Sequence, residues 1–135
     1  MDSVSPTRRS EIMRRVRSRD TVPEMLVRKL THAMGYRYRL RSKDLPGKPD
    51  LVFRSREKVI FVHGCFWHRH PGCSLARLPK SRKGFWLPKL EANRQRDLKT
   101  ESTLRDRDWG VLTIWECELG DIDKLKNKIK EFLDA

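Results

Sequence analysis

The chain has no long apolar stretch. No hydrophobic run approaches the ~20 residues that a membrane span requires. The first residues, Met1-Asp2-Ser3-Val4-Ser5-Pro6, have no apolar h-region, so no signal peptide is expected and a cytoplasmic protein is. Cysteine is scarce: Cys65, Cys73 and Cys117 are an odd set of three. In a reducing compartment that argues against a disulfide framework and for metal binding. Repeats, low-complexity segments and linkers are absent, so the 135 residues read as a single domain. Acidic residues are also few, 18 Asp and Glu against 31 Lys and Arg. An acidic partner is therefore far easier to explain than a basic one.

What is present is positive charge. A formal net charge of +13 on 135 residues creates a strong field that favours polyanions. Each phosphate neutralised releases counterions, so nucleic acid is the natural ligand. Charge alone leaves binder, enzyme and ribosomal-type protein open. Residues 1–19 concentrate it, with Arg8, Arg9, Arg14, Arg15, Arg17 and Arg19 around a face made of Ile12, Met13 and Val16. They read equally as a basic tail and as a DNA-binding arm.

Hydrophobic residues make up 37% of the chain, so the core must be small and assembled from a few segments. Thr21-Val22-Pro23-Glu24 predicts a capped helix start with proline in the first turn. Val22, Leu26, Leu30 and Ala33 form its expected apolar stripe, and Gly35 ends it. Tyr36–Leu40 alternates like a half-buried strand. Asp50–Phe53 and Lys58–His63 predict two further strands across a turn at Ser55-Arg56-Glu57. Residues 64–84 predict an irregular loop needing a staple. A helix is expected from about Leu87 to Arg107, starting there because Pro88 suits only a first turn. Val111–Trp115 predicts a strand, and Asp121–Leu133 a helix with Ile122, Leu125, Ile129, Phe132 and Leu133 on one side. The order implies an α/β domain with a mixed central sheet flanked by helices.

Chemistry gathers in Val62-His63-Gly64-Cys65-Phe66-Trp67-His68-Arg69-His70-Pro71-Gly72-Cys73. Cys65 and Cys73 bracket two histidines, and Cys117 follows a strand that can lie beside Val59–His63. Three thiols and one imidazole fill a tetrahedral zinc site. His70, separated from Cys73 only by Pro71-Gly72, is the expected nitrogen ligand, which leaves His63 and His68 free. Asp50 follows a rigid Pro46-Gly47-Lys48-Pro49 turn. It reads either as turn chemistry or as a Mg²⁺ carboxylate, and His63 at the end of the partner strand favours the latter. Lys89, Asn93 and Asp97 fall on one helical face, and Asp97 suits the orienting of a histidine base. Phe66, Trp67, Phe85 and Trp86 cannot all turn inward from a basic loop, and apolar wedges between base steps have this composition.

Together, Pro49-Asp50, Phe61 to His68, Phe85-Trp86-Leu87, Asn93, Arg96-Asp97 and Trp115-Glu116-Cys117 resemble the very short patch repair (Vsr) DNA mismatch endonucleases. The resemblance implies a restriction-endonuclease-like fold with a zinc-stapled loop. It implies a monomer that uses Mg²⁺, carries structural zinc and nicks one strand of double-stranded DNA 5′ to the thymine of a T:G mismatch, the lesion left by deaminated 5-methylcytosine. Asp50 and the backbone carbonyl of Val62 would then bind Mg²⁺. His68 would act as base with Asp97 as partner, His63 would sit near the scissile phosphate, and Glu24 would lie near the site. Cys65, His70, Cys73 and Cys117 would hold zinc. Phe66, Trp67 and Trp86 would wedge into the duplex, Lys89 and Asn93 would face the mismatch, and the arm bearing Met13 and Arg14 would lie in a groove. The same resemblance puts the enzyme in a prokaryotic cytoplasm, at the nucleoid. Glu24 is explained equally by a capping box. Two other functions stay open: a nuclease with a different site, of restriction type, and a non-catalytic zinc-stabilised DNA-binding protein.

Overall fold

The computed structural model of the chain describes residues 21–40, 42–76 and 82–135. The basic arm, with Met13 and Arg14, lies outside the described residues. Among the described residues, three α-helices and three strands run in the order α1 (Val22–Ala33), β1 (Leu51–Phe53), β2 (Lys58–His63), α2 (Lys83–Asp106), β3 (Gly110–Trp115) and α3 (Ile122–Asp134). None of these helices is long and apolar enough to cross a membrane.

The sheet order is β1-β2-β3. β1 pairs antiparallel with β2, Leu51 opposite Ile60, through a 3₁₀ turn at Arg54–Arg56 and a left-handed Glu57. β2 and β3 pair in parallel, from Lys58 opposite Gly110 to His63 opposite Trp115. A parallel pair needs a long crossover, and α2 supplies it. The expected strand at Tyr36–Leu40 shrinks to one bridge, Arg39 with Val52. Its neighbour β1 has only three residues, too few to pair a five-residue partner along its length.

Alternation along the strands divides the core between two faces. Val27, Leu51, Phe53, Ile60, Ile114, Leu125, Ile129 and Leu133 pack on one side, which α1 and α3 cover. Leu45, Val52, Val59, Phe61, Leu104 and Val111 pack on the other, under α2. His63 shares parity with Val59 and Phe61, so it emerges on the α2 side.

Two helices differ from their sequence reading. Thr21 caps α1 through the Glu24 amide, as its motif predicts, but Val22 is 83% exposed and the buried positions are Glu24, Val27 and Thr31. Of the expected stripe, Leu30 does pack against the core. A glutamate is drawn inward because its partners lie there, as described below. α2 begins at Lys83 rather than Leu87, and Pro88 lies within it. The added turn is anchored by Trp86, whose ring packs on Phe66 and Trp67.

α3 follows its amphipathic pattern, capped by Asp121, which accepts from the Lys124 amide at 3.1 Å. Its last turn is held by Lys58, donating to Phe132 O at 2.6 Å, and by Arg56, donating to Leu133 O at 2.8 Å. Both cations meet the negative end of the helix dipole.

Candidate active site and metal centre

The parallel register brings the C-terminal ends of β2 and β3 side by side. Everything distinctive follows from what the chain does next. Cys65 to Arg69 form consecutive turns, closed by the His68 amide on Gly64 O at 3.2 Å and the His70 amide on Cys65 O at 3.0 Å. Arg69 takes a left-handed φ of 52°, uncommon outside glycine. This reversal sends His68 and His70 to different clusters.

His68 turns toward α2. Its Nδ1 lies 2.5 Å from Asp97 Oδ2, and its ring stacks on His63 at 3.8 Å with 5° between the planes. Ligand atoms of His63, His68 and Asp97 all lie within 4.8 Å of one another. With Nδ1 engaged by a carboxylate, His68 keeps Nε2 for other work, and a carboxylate at Nδ1 fixes the tautomer. His63 is only 9% exposed. Burial first, and the neighbouring His68 second, hold its pKa down to about 4. It is therefore a neutral imidazole near pH 7. Asn93, one turn before Asp97, donates to Trp67 O at 3.2 Å and ties the loop to α2. Lys89 does not join them; its ammonium lies 5.9 Å from the exposed Phe85 ring.

Asp50 enters from the other strand. Val62 N donates to Asp50 Oδ2 at 2.6 Å, and the Glu24 carboxyl is a hydrogen-bond partner of Asp50. Burial, then Glu24, push the Asp50 carboxyl up to about 8, against the pull of the Val62 amide. Glu24, 3% exposed, also pairs with Arg28. Asp50 is not one of the groups that converge with His63, His68 and Asp97. It lies beside them, joined through consecutive residues of β2: Val62 holds Asp50 and His63 holds His68. Two adjacent carboxylates with little solvent are a hard-oxygen donor set suited to a divalent cation.

His70 turns the opposite way. Ligand atoms of Cys65, His70, Cys73 and Cys117 lie within 4.8 Å of one another. His70 Nδ1 is 3.6 Å from Cys65 Sγ and 3.5 Å from Cys117 Sγ, so this cluster could hold a metal ion. The sulfur environments differ: burial pushes the Cys65 thiol up to about 12, whereas the Leu75 amide draws Cys73 below its usual value. A cation at the centre would compensate the Cys65 burial. The Cys65 amide is fixed by Glu116 Oε1 at 3.2 Å. The His70 ring stacks on Trp115 at 4.1 Å, and Trp115 meets His63 edge-on at 5.3 Å.

Phe66, Trp67 and Trp86 form a triangle of edge-to-face contacts, with centroids 5.2, 5.6 and 5.9 Å apart. All three are only partly buried, so a patch of aromatic surface faces solvent beside His68. Three contributors escaped sequence reasoning: Arg28, Glu116 and the stacking role of Trp115. Of these, only Arg28 carries a readable signal, its i,i+4 spacing from Glu24.

A family profile described as DNA mismatch endonuclease Vsr matches residues 1–74. The chain belongs to this family. The DNA mismatch endonuclease Vsr of Escherichia coli is 41% identical over 120 residues, covering 89% of this chain and 76% of that protein. The type II nicking enzyme V.XorIIP of Xanthomonas oryzae pv. oryzae is 53% identical over 133 residues, covering 98% of this chain and 97% of its own length. The type II nicking enzyme V.NmeAIP of Neisseria meningitidis is 39% identical over 138 residues. This is a Vsr-family DNA endonuclease.

Proposed function

We propose that the chain is a Mg²⁺-dependent endonuclease that nicks one strand of duplex DNA 5′ to the thymine of a T:G mismatch, acting as a monomer in the bacterial cytoplasm, at the nucleoid. Residues 1–135 serve as one domain of restriction-endonuclease-like fold, with 1–19 as an arm that carries Met13 and Arg14 into a groove. The observation that carries the reading is the pairing of His68 with Asp97 at 2.5 Å, one strand residue from the carboxylate that Val62 holds.

Phosphodiester hydrolysis needs an activated water and neutralisation of developing charge. His68, oriented by Asp97, accepts the proton of the attacking water at Nε2. His63, kept neutral by burial, adds no positive charge to its stacked neighbour and lines the approach to the scissile phosphate. Asp50, the Val62 carbonyl and Glu24 offer oxygens to Mg²⁺, which when bound supplies Lewis-acid stabilisation of the phosphate. Cys65, His70, Cys73 and Cys117 hold structural zinc. Three thiols and one imidazole are a donor set that would suit zinc, and sulfur and nitrogen already stand 3.5 and 3.6 Å apart.

The aromatic patch of Phe66, Trp67 and Trp86 opens the mismatched step, with Lys89 and Asn93 toward the pair. Unstacking costs a few kcal/mol per step, and a wobble pair has less stacking to lose. One monomer meeting an asymmetric lesion cuts one strand.

The description of close relatives as type II nicking enzymes supports a second reading, in which a sequence site is nicked without a mismatch. Both are tested with end-labelled duplexes carrying T:G or T:A in identical flanks, in Mg²⁺. Nicking confined to the T strand of T:G is expected. Equal cutting of T:A favours the second reading, and no cutting of either, with DNA still bound, leaves a binding protein.

A further inference from the structure

The buried charge network at the start of α1 contains a cation that the proposed reaction does not use. Arg28 lies one helical turn beyond Glu24 and pairs with Glu24 Oε2, the two side chains being 12% and 4% exposed. Glu24 hydrogen-bonds Asp50, and Asp50 accepts from Val62 N at 2.6 Å. An unbroken line of ionisable groups therefore runs from Arg28 inside α1 to the Val62 amide of β2. Exposed i,i+4 pairs contribute little. A buried one is different, because stripping its partner leaves a desolvated charge. Adjacent carboxylates repel when both are ionised, as metal binding requires, and a cation close by lowers that cost.

We propose that Arg28 is a positioning residue, the resident counter-ion of the Glu24–Asp50 pair. It keeps the two carboxylates assembled without a divalent ion and weakens that ion's binding to the free protein, so that firm retention waits for a DNA phosphate. The inference rests on the reading of Asp50 as a metal ligand. Two carboxylates balance one divalent ion. Adding the guanidinium leaves the loaded site with a surplus positive charge, and a phosphodiester removes that surplus. DNA and metal then strengthen each other's binding by the same factor, and the free enzyme holds little metal with which to cut undamaged DNA.

The test uses Mn²⁺ as probe, with the full zinc-loaded chain and electron paramagnetic resonance to count free ion. Arg28→Met keeps the apolar stem and removes the charge. Without DNA it should bind Mn²⁺ at least about tenfold more tightly than the parent, whereas Arg28→Lys should stay near the parent value. The melting temperature of Arg28→Met should fall below the parent's without Mn²⁺ and recover at saturating Mn²⁺. A T:G duplex should tighten Mn²⁺ binding more for the parent than for Arg28→Met. Should Arg28→Met fail to fold, Arg28→Gln, which keeps a hydrogen-bond donor for Glu24 without charge, carries the same comparison. Unchanged or weaker Mn²⁺ binding in the uncharged variant overturns the inference. Asp50→Ala, measured alongside, separates the two ideas. If it loses Mn²⁺ while Arg28→Met gains nothing, only the role of Arg28 falls. If it binds like the parent, the reading of Asp50 falls and takes this inference with it.

Discussion

His68 and His70 stand two residues apart and join different clusters. His68 sits among nitrogen and oxygen, held by one carboxylate and a stacked ring. His70 sits among three sulfurs and against an indole. On the proposed function, one left-handed residue, Arg69, separates the reactive histidine from the supporting one. A loop can present reactive side chains accurately if one part of it is anchored to the sheet. Here the sulfur cluster, which could hold a metal ion, reaches from the loop to Cys117 just beyond β3.

Breaking the supporting side should have the largest effect. Structural zinc supplies apparent binding free energies of about 10–16 kcal/mol, so Cys65→Ser should lose the ion, the loop and DNA binding together. Zinc content by atomic absorption and the melting temperature check this. A variant that melts like the parent without zinc would remove the comparison altogether. On the reactive side the fold should survive. His68→Ala should lower single-turnover nicking of T:G duplex by about 10²–10⁴-fold, the range of general-base catalysis, with DNA affinity by gel shift little changed. Asp97→Asn should lose less, since the imidazole remains.

A third prediction concerns pH. His63 has a folded-state pKa of about 4, below the unfolded value of about 6.5. Its contribution is thus present above about pH 6.5 and lost as pH falls toward 4. Between pH 7.5 and 5 this single group should cost about 2 kcal/mol of stability. Urea unfolding of the parent and of His63→Asn at both pH values isolates it, and identical pH slopes would refute the assignment. The smallest effect sharpens the comparison at its pivot. Arg69→Gly should change stability by less than about 1 kcal/mol, because glycine accepts φ near 52°. Arg69→Val should cost more, since a β-branched residue there is strained. If Val is tolerated as well as Gly, the reversal is not what separates the two histidines.

The sequence made these two clusters easier to read than the helices around them. Cysteines and histidines at close spacing, next to strands of Val, Ile and Phe, leave few geometries open, and the choice of His70 over His68 as the sulfur cluster's nitrogen followed from the Pro71-Gly72 turn. β2 and β3 were legible because continuous apolar runs bounded by turns suit strands buried on both faces. The inward face of α1 was not, because its buried set includes Glu24 and Thr31. Apolar periodicity cannot register a glutamate whose partners, Asp50 and Arg28, are brought to it by tertiary structure. The start of α2 was misplaced for a related reason. Pro88 signals a first turn locally, yet packing of Trp86 against loop aromatics carries the helix back to Lys83. Tyr36–Leu40 alternates properly but meets a partner too short to pair it.

Trp115 lies flat against one imidazole and edge-on to another, each from a different cluster. With Trp67, Trp86 and Trp109 replaced by phenylalanine, its emission becomes an optical gauge lodged between the support and the reactive pair. An ion bound or lost at His70 would alter the quencher on its face, and changes at His63 would alter the quencher at its edge. The protein thus carries its own light source at the junction of the two clusters.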